Sequence, residues 1–267
     1  MTRMIAVAAV LLGLALGAPA AASAHFIWIE TDPKAPPGAP HEVSVYFGEP
    51  HEFLREEAGG LLDRHDALRA WVVDPRGEKI PLMLHEERNR FYGSFTPTRV
   101  GRHQVIALSA GHDVVDLTPY DRGLTKPIFY ARAQFLVFEK TRLSEREPEI
   151  KELLDYDIVP VTRGLEPLTG SIATRPGHEV VVRLLSKGQP VVRRRLRVFG
   201  PNGWVKELQP TDAWGVTSFV PLWPGRYVVV LEREEKAAGD FQGKRYDVVS
   251  QRVTFSMLTT DSGEKGE

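Results

Sequence analysis

The 267-residue chain contains no cysteine, which limits both how it can be stabilised and how it can bind a metal. Without cysteine no disulfide can form, so an exported chain of this size must be held together by its hydrophobic cores. A thiolate zinc site is excluded for the same reason. Any metal site must therefore use histidine, carboxylate or backbone nitrogen ligands.

The chain also lacks net charge, a second long apolar run and several well-known catalytic motifs. Lysine and arginine number 34 against 35 acidic residues, so no net field attracts nucleic acid or an anionic membrane. Beyond residue 25 no apolar run is long enough to cross a bilayer, and we expect the mature protein not to span a membrane. G-x-S-x-G, H-E-x-x-H and G-x-x-x-x-G-K-[ST] are all absent, which disfavours hydrolase and nucleotide-binding functions.

The amino terminus, by contrast, has the pattern of an export signal. Arg3 precedes an apolar run from Ile5 to Leu16, and Ala22-Ser23-Ala24 matches the A-x-A pattern of a cleavage site. The sequence therefore predicts a signal peptide over residues 1–24 and a periplasmic or secreted mature protein. A cut after Ala22 is the alternative, and it would make Ser23 the first residue.

Cleavage after Ala24 would give His25 a free amine beside its own imidazole, which together form a bidentate nitrogen ligand. An amine with an ordinary pKa of about 8 loses its proton readily to a metal. Cleavage after Ala22 would instead place His25 third, in a planar set of four nitrogens that suits Cu(II) or Ni(II). A first-position histidine can also be incidental to the site of cleavage.

The mature sequence is a succession of short strands bounded by turns. In the first strand, alternation places His25, Ile27 and Ile29 on one face and Phe26 and Trp28 on the other. The segment from His51 to His65 is predicted as a loop with one or two helical turns. Further strands are predicted at His41–Phe47, Leu68–Val73, Ile80–Leu84, Arg90–Phe95, His103–Leu108, Ile128–Phe138, His178–Leu185, Val191–Phe199, Val216–Val220, Tyr227–Leu231 and Val248–Met257.

This pattern predicts an all-β fold of two β-sandwich domains, of the immunoglobulin-like or transthyretin-like kind, with a short helical linker. A cluster of charges between the two halves indicates the linker. The predicted limits are 1–24 for the signal peptide, 25–139 for the N-terminal sandwich with the metal site, 140–156 for the linker, 157–258 for the C-terminal sandwich and 259–267 for a flexible tail.

Five short motifs give the chain a family resemblance. They are His25-Phe26-Ile27-Trp28, Asp157-Ile158-Val159-Pro160, Gly188-Gln189-Pro190, Thr211-Asp212-Ala213-Trp214-Gly215 and Pro224-Gly225-Arg226-Tyr227. Together they resemble the exported bacterial proteins of the NikM-like domain family, domain of unknown function DUF4198, over nearly all of the mature chain. The resemblance implies a periplasmic component of nickel or cobalt uptake built from two sandwiches. The last two motifs also occur in transthyretin-like sandwiches.

The other candidate ligands come from the distribution of histidine. Six of the seven remaining histidines precede the predicted linker, which favours the first domain as the site. His51 and His112 lie in turn-rich segments, where a side chain can reach a metal without breaking a core, and they are predicted to complete the site with His25. The pairs His65-Asp66 and His85-Glu86 are interpreted as surface groups that aid solubility. His41 and His178 are expected to begin strands.

Three functions remain compatible with these observations. The first is a metal-binding carrier or accessory component for nickel or cobalt uptake, acting with a membrane uptake complex and without catalysis. The second is a copper protein in which His25 and another histidine form a histidine brace, either a carrier or an oxygenase. The third is a metal-free adhesion module, for which the histidines are incidental.

Overall fold

The computed structural model describes residues 25–138, 154–161 and 174–261, and these residues form the predicted all-β fold. Within them lie nineteen strands and three 3₁₀ helices, at Leu62–His65, Thr118–Tyr120 and Pro201–Gly203. The strands of the first half are β1 (Phe26–Thr31), β2 (Lys34–Ala35), β3 (His41–Glu49), β4 (Leu54–Arg55), β5 (Arg69–Val73), β6 (Lys79–Leu82), β7 (His85–Glu87), β8 (Arg90–Phe95), β9 (Gly101–Ser109), β10 (Val115–Asp116) and β11 (Leu124–Val137). Those of the second half are β12 (Tyr156–Pro160), β13 (Val180–Ser186), β14 (Gln189–Pro190), β15 (Arg197–Phe199), β16 (Val205–Glu207), β17 (Val216–Phe219), β18 (Gly225–Phe241) and β19 (Lys244–Thr259).

The strands form three sheets, which we call the front, central and back sheets. The front sheet has the order β1-β3-β8-β7, with β4 paired to β3. The central sheet has the order β16-β15-β18-β19-β11-β9-β5-β6, and β2 and β10 both pair with β11. The back sheet has the order β12-β13-β14, with β17 paired to β13.

The middle of the central sheet is buried on both faces, because its strands alternate between two cores there. On one face Val72, Val105 and Phe129 join the core that the front sheet completes with residues such as Ile27 and Val45. Their sequence neighbours point the other way, into the core shared with the back sheet, namely Trp71, Ile106 and Tyr130. The period of two along each strand thus stacks the three sheets in layers.

The central sheet also crosses the predicted domain boundary. Strand β11, the last of the first half, pairs in parallel with β19, the last of the second half, from Thr125 opposite Val248 to Ala133 opposite Ser256. The expectation that each half forms its own separate sandwich is therefore wrong, because the two halves share this sheet. The residue limits at 139, 157 and 258 stay a prediction.

The hairpin of β18 and β19 is much longer than predicted. The two strands have 17 and 16 residues and turn at Gln242 and Gly243, both of which have positive φ. The sequence indicated strands only at Tyr227–Leu231 and Val248–Met257, where apolar residues alternate. Beyond them the hairpin continues with mostly polar and partly exposed side chains, held by backbone hydrogen bonds rather than by a core.

Strand β1 is buried on both faces, which explains its continuous run of aromatic and β-branched residues. Ile27 and Ile29 belong to the core between the front and central sheets. Phe26 and Trp28 belong instead to a smaller cluster, together with Phe199 and with Val228 and Val230 of β18. The predicted alternation of β1 is confirmed, and the central sheet contacts both sides of the strand that begins beside His25.

Three of the predictions fall outside the residues described. These are the signal peptide at 1–24, the linker helix, of whose range only residues 154–156 are described, and the tail after residue 261. Across the described residues we find no helix with the length and apolar character that a membrane span requires.

Candidate metal centre

His25 and Glu49 are cross-strand neighbours at one end of the front sheet. The register of β1 and β3 pairs Phe26 with Gly48, which brings the preceding and following residues, His25 and Glu49, side by side. His25 Nδ1 lies 3.5 Å from Glu49 Oε1, and His25 Nε2 lies 2.6 Å from Glu56 Oε1. Glu49 is almost completely buried, yet its Oε2 has no hydrogen-bond partner. A buried carboxylate oxygen without a partner is costly unless a cation binds it.

His112 presents an unprotonated nitrogen close to this end of the sheet, and His65 presents a buried ring nitrogen without a partner. His112 Nδ1 donates a hydrogen bond to the carbonyl oxygen of Asp113 at 2.9 Å, so its lone pair is on Nε2. His65 Nδ1 lies 2.8 Å from the hydroxyl oxygen of Ser109, and its Nε2 is buried without a partner. Histidines that bind metals usually bond an oxygen through the nitrogen that is not ligated, as both of these residues do.

Two phenylalanine rings hold the three histidines together. The ring centroid of Phe47 lies 5.2 Å from that of His25 and 4.1 Å from that of His65. Phe129 of β11 lies 5.0 Å from His65 and 5.8 Å from His112. The rings of His65 and His112 are themselves 5.2 Å apart in an edge-to-face arrangement. Because the phenylalanines belong to the front and central sheets, the histidines are held where these two layers meet.

Burial keeps His65 and His112 neutral at physiological pH. Burial, together with smaller repulsion from the nearby His112, His25 and Arg64, lowers the pKa of His65 to about 3. The pKa of His112 is also lowered, mainly by burial, although its bond to the carbonyl of Asp113 opposes the shift. Neutral imidazole is the form that binds metals, so neither ring has to lose a proton first.

His25 and His112 line the same cleft, which has a volume of about 410 Å³. Phe47 and Phe129 contribute apolar lining, and residues from β11 and β19 complete the wall. The cleft gives a ligand access to both imidazoles from the surface, while His65 lies beneath them, only 1% exposed.

One comparison with known proteins identifies the family. The model of the family described as a domain of unknown function, DUF4198, matches residues 22–235, which include His25, Glu49, Glu56, His65 and His112. The chain belongs to the DUF4198 family. No curated protein matches the chain.

In this DUF4198 chain, two of the three predicted ligands share the cleft and the third does not line it. His51 stacks on Phe199 with ring centroids 4.8 Å apart, on the other side of β1 from His65. Its Nε2 lies 3.5 Å from Glu52 Oε1. Among the described residues, one group of three or more histidine, aspartate or glutamate side chains has all its ligand atoms within 4.8 Å of one another. This group consists of Glu49, His51 and Glu52. Glu49 thus lies between His25 and His51, and His51 stays a predicted ligand.

The interpretation of His65 as a surface group is wrong. His65 is the last residue of the 3₁₀ helix Leu62–His65, and its side chain is buried, as is that of Leu62. The sequence contained a usable signal, since a helical turn that buries Leu62 also buries the residue three positions later. The interpretation agrees with His85, whose side chain is 63% exposed.

Two further histidines of the DUF4198 chain have structural surroundings. His41 Nε2 lies 2.7 Å from the hydroxyl of Thr31, and its ring stacks on Phe135 at 4.0 Å. His103 stacks on Phe135 as well, at 4.9 Å, and its Nδ1 donates to the carbonyl of Gly101. Both rings are buried in the sandwich, and neither lines the cleft beside His25.

Proposed function

We propose that the mature protein is an exported metal-binding protein that holds one divalent late transition metal at His25. In this proposal, cleavage after Ala24 frees the amine of His25, which binds the metal together with the Nδ1 atom of the same residue. Glu49 lies next to that nitrogen, and His112 faces the same cleft. His65 supplies a third imidazole below them.

One observation carries the proposal. The imidazole of His65 is buried with its Nε2 unpartnered, next to His112, which presents its own Nε2 lone pair, and both rings are neutral. A buried polar atom without a partner destabilises the folded protein unless something binds it. A metal ion bound at these rings would satisfy it. Since the ligand atoms of His25, His65 and His112 do not all lie within 4.8 Å of one another, binding would draw these side chains together.

The donor set supports a nickel or cobalt carrier, or an accessory component that delivers the ion to a membrane uptake complex. An amine with two or three imidazoles suits Ni(II), Co(II) and Cu(II), whereas Mg(II) and Ca(II) prefer a site made of oxygen atoms. Since copper binds such nitrogen sites more tightly than nickel or cobalt, affinity measured in vitro does not identify the physiological ion.

A copper histidine-brace protein is the second candidate, because His25 and His112 line one cleft that opens to the surface. An amine and two imidazoles around copper would support either copper transport or oxygen chemistry at that opening. Release of peroxide from the copper-loaded protein with a reductant would favour the oxygenase. Tight copper binding without peroxide would favour the carrier.

The test is calorimetric titration of exported protein with Ni(II), Co(II) and Cu(II). One variant carries an extra alanine before His25 after processing, which turns the amine into an amide nitrogen and keeps every side chain. We expect this variant, His25→Ala and His112→Ala each to weaken binding by at least the ~10-fold to 100-fold that changes around a ligand already cause. His85→Ala removes an exposed histidine and is the matched control, for which the affinity should not change.

His51→Ala distinguishes the two neighbouring ligand groups. If His51→Ala keeps the metal affinity and His112→Ala loses most of it, the metal binds in the cleft. If His112→Ala keeps the affinity and His51→Ala loses it, the metal binds at Glu49, His51 and Glu52. Wild-type affinity in the alanine-extended variant and in His25→Ala would refute an amino-terminal site. No binding of any of the three ions would favour the metal-free module.

A further inference from the structure

The cleft beside His25 is rich in guanidinium groups. Arg64, Arg122 and Arg252 all line it, and among the described residues that line it there is no aspartate or glutamate. Three arginines and no acidic residue in one cleft make a positive potential that a metal site alone does not explain. Two neighbouring cations repel each other, so such a cluster is stabilised by an anion.

The acidic residues behind the cleft do not fully neutralise these cations. Glu232 lies 3.7 Å from Arg122, 3.3 Å from Arg197 and 3.5 Å from Arg252, and is shared among all three. Glu234 pairs with Arg122. Three guanidinium groups thus share two carboxylates, while Arg64 has no carboxylate partner among the described residues. Glu49 and Glu56 also lie near the cleft, but both contact His25 and neither pairs with Arg64 or Arg252. The guanidinium group of Arg64 is therefore available to a ligand.

Two hydrogen-bonding groups on the cleft wall have no partner. Ser250 is 1% exposed, and its hydroxyl makes no hydrogen bond. The Nε of Arg252 is also buried and unpartnered, although the far end of the same guanidinium contacts Glu232. Both residues are on β19 and line the cleft. The Nε–H of Arg252 can only donate and the hydroxyl of Ser250 can donate as well, so one acceptor group would satisfy both.

We propose that this cleft binds a small organic carboxylate, held by Arg64, Arg252 and Ser250. Guanidinium groups recognise carboxylates through paired, charge-assisted hydrogen bonds, and the serine hydroxyl supplies a third donor. The volume of about 410 Å³ falls within the range of small-molecule sites. The proposal concerns a different ligand from the metal and does not need the metal to be present.

The lining also selects the rest of the ligand. Phe47, Phe129, Leu61 and Leu117 line the same cleft and offer an apolar surface to whatever carries the carboxylate. Burying an apolar group against them is favourable by about 25 cal/mol for each Å² removed from water. The site therefore fits a carboxylate with a compact apolar or aromatic body, in preference to inorganic phosphate or acetate.

The test uses metal-free full-length mature protein and benzoate as the probe, followed by calorimetry or ligand-observed NMR. Benzoate should bind more tightly than acetate and inorganic phosphate, and its affinity should fall as salt rises, because salt screens the charges. Benzamide has the same ring without the charge and should bind at least about 10-fold more weakly. Absence of benzoate binding, or equal binding of benzamide, would overturn the proposal.

Variants identify the residues that hold the carboxylate. Arg64→Gln changes an exposed side chain, so it tests the site without risk to the fold, and it should weaken benzoate binding about 10-fold or more. Ser250→Ala and Arg252→Gln should also weaken it. Arg195→Gln is the matched control, since Arg195 is exposed and pairs with Glu207 away from the cleft. Wild-type affinity in Arg64→Gln and Ser250→Ala together would refute the assignment.

The outcome is separable from that of the metal proposal. A protein that binds benzoate and no metal would sustain this inference and refute the proposed function. A protein that binds metal and no benzoate would do the reverse.

Discussion

Arg132 of β11 and Asp157 of β12 form a two-pronged ion pair that is buried between the central and back sheets. Arg132 Nε donates to Asp157 Oδ1 at 2.7 Å, and a second guanidinium nitrogen donates to the other carboxylate oxygen. A third donates to the side-chain oxygen of Gln104. Arg132 is completely buried and Asp157 nearly so. The pair thus joins the sheet shared by both halves to the sheet of the second half alone.

Removing one member of this pair is expected to be costly, because the other charge would remain buried alone. Asp157→Ala should lower the free energy of unfolding by about 3–5 kcal/mol. Urea denaturation measures the change. Glu207→Ala breaks the exposed Arg195–Glu207 pair and serves as the control, with an expected change of at most about 1 kcal/mol. Equal effects of the two variants would mean that the buried pair contributes no more than a surface pair.

Acid should destabilise the fold through its buried histidines. Burial lowers the pKa of His103 from 6.5 to about 4, so the unfolded chain binds a proton at a higher pH than the folded protein does. Stability from this residue is complete above about pH 6.5 and is lost as the pH falls toward 4, by about 3 kcal/mol. Thermal or urea unfolding of metal-free protein between these pH values should show the loss.

The slope of stability against pH identifies the residue responsible. His103→Gln should reduce the slope between pH 6.5 and 4, whatever it does to stability at neutral pH. His65, His112 and His41, whose pKa values are lowered too, account for the slope that remains. His85→Gln changes an exposed histidine and should leave the slope unchanged. If His103→Gln kept the wild-type slope, the loss would have to come from other buried groups, such as His41.

Amino-terminal sequencing of exported protein should find His25 as the first residue. The expected cut follows Ala22-Ser23-Ala24, and β1 begins directly after His25, at Phe26. A protein that begins at Ser23 would use the planar four-nitrogen set instead. A retained signal peptide would remove both kinds of chelate, and metal binding would then have to rely on side chains alone.

Metal affinity should weaken as the pH falls, because the amine of His25 takes up a proton. His65 should have little influence on this pH dependence. The pKa of His65 is about 3, so this ring stays neutral throughout the range in which the amine, with an ordinary value of about 8, takes up its proton. Calorimetry between pH 8 and 6 should show progressive weakening. Equal affinity at the two ends would indicate carboxylate ligands without the amine.

Gly48→Ala should disturb the metal centre by moving Glu49. Gly48 has φ +145°, and a Cβ atom there would overlap the carbonyl of Leu54 in the paired strand β4. Gly38 also has positive φ but has open space around it, so Gly38→Ala is the control for backbone strain alone, at about 1–3 kcal/mol. We expect Gly48→Ala to cost more than this and, unlike the control, to weaken metal binding.

Local alternation predicted most of the strands because the longer strands of the first half, such as β3, β5 and β9, have one or two buried faces. The segment 26–30 extends by one residue to become β1, and the strand predicted at Arg90–Phe95 has the same limits as β8. The short 3₁₀ helix at Leu62–His65 lies within the loop predicted to contain helical turns. Such features depend on neighbours in the sequence, which a pattern of apolar residues captures.

The shared sheet could not be predicted in the same way, since it depends on the pairing of strands that are distant in sequence. Thr125 and Val248 are paired across more than a hundred residues, and no local pattern encodes that choice. The same long-range packing brings His65 next to His112, and it places Arg252 beside the cleft. His25 was predicted as a ligand from its place after the cleavage pattern and His112 from its turn-rich segment, and both line the cleft.

Residues near the carboxyl end of the chain hold strand β1 in place, and with it His25. Thr254 donates its hydroxyl proton to the carbonyl of Ile27 at 2.8 Å, and Val228 packs against Phe26. The ribosome makes those residues last, about two hundred positions after His25. His25, the proposed metal ligand, is thus fixed in place only when synthesis is finished. Truncated chains that end before β18 would keep His25 but leave it on an unsupported strand, and we expect them to lose the proposed metal site.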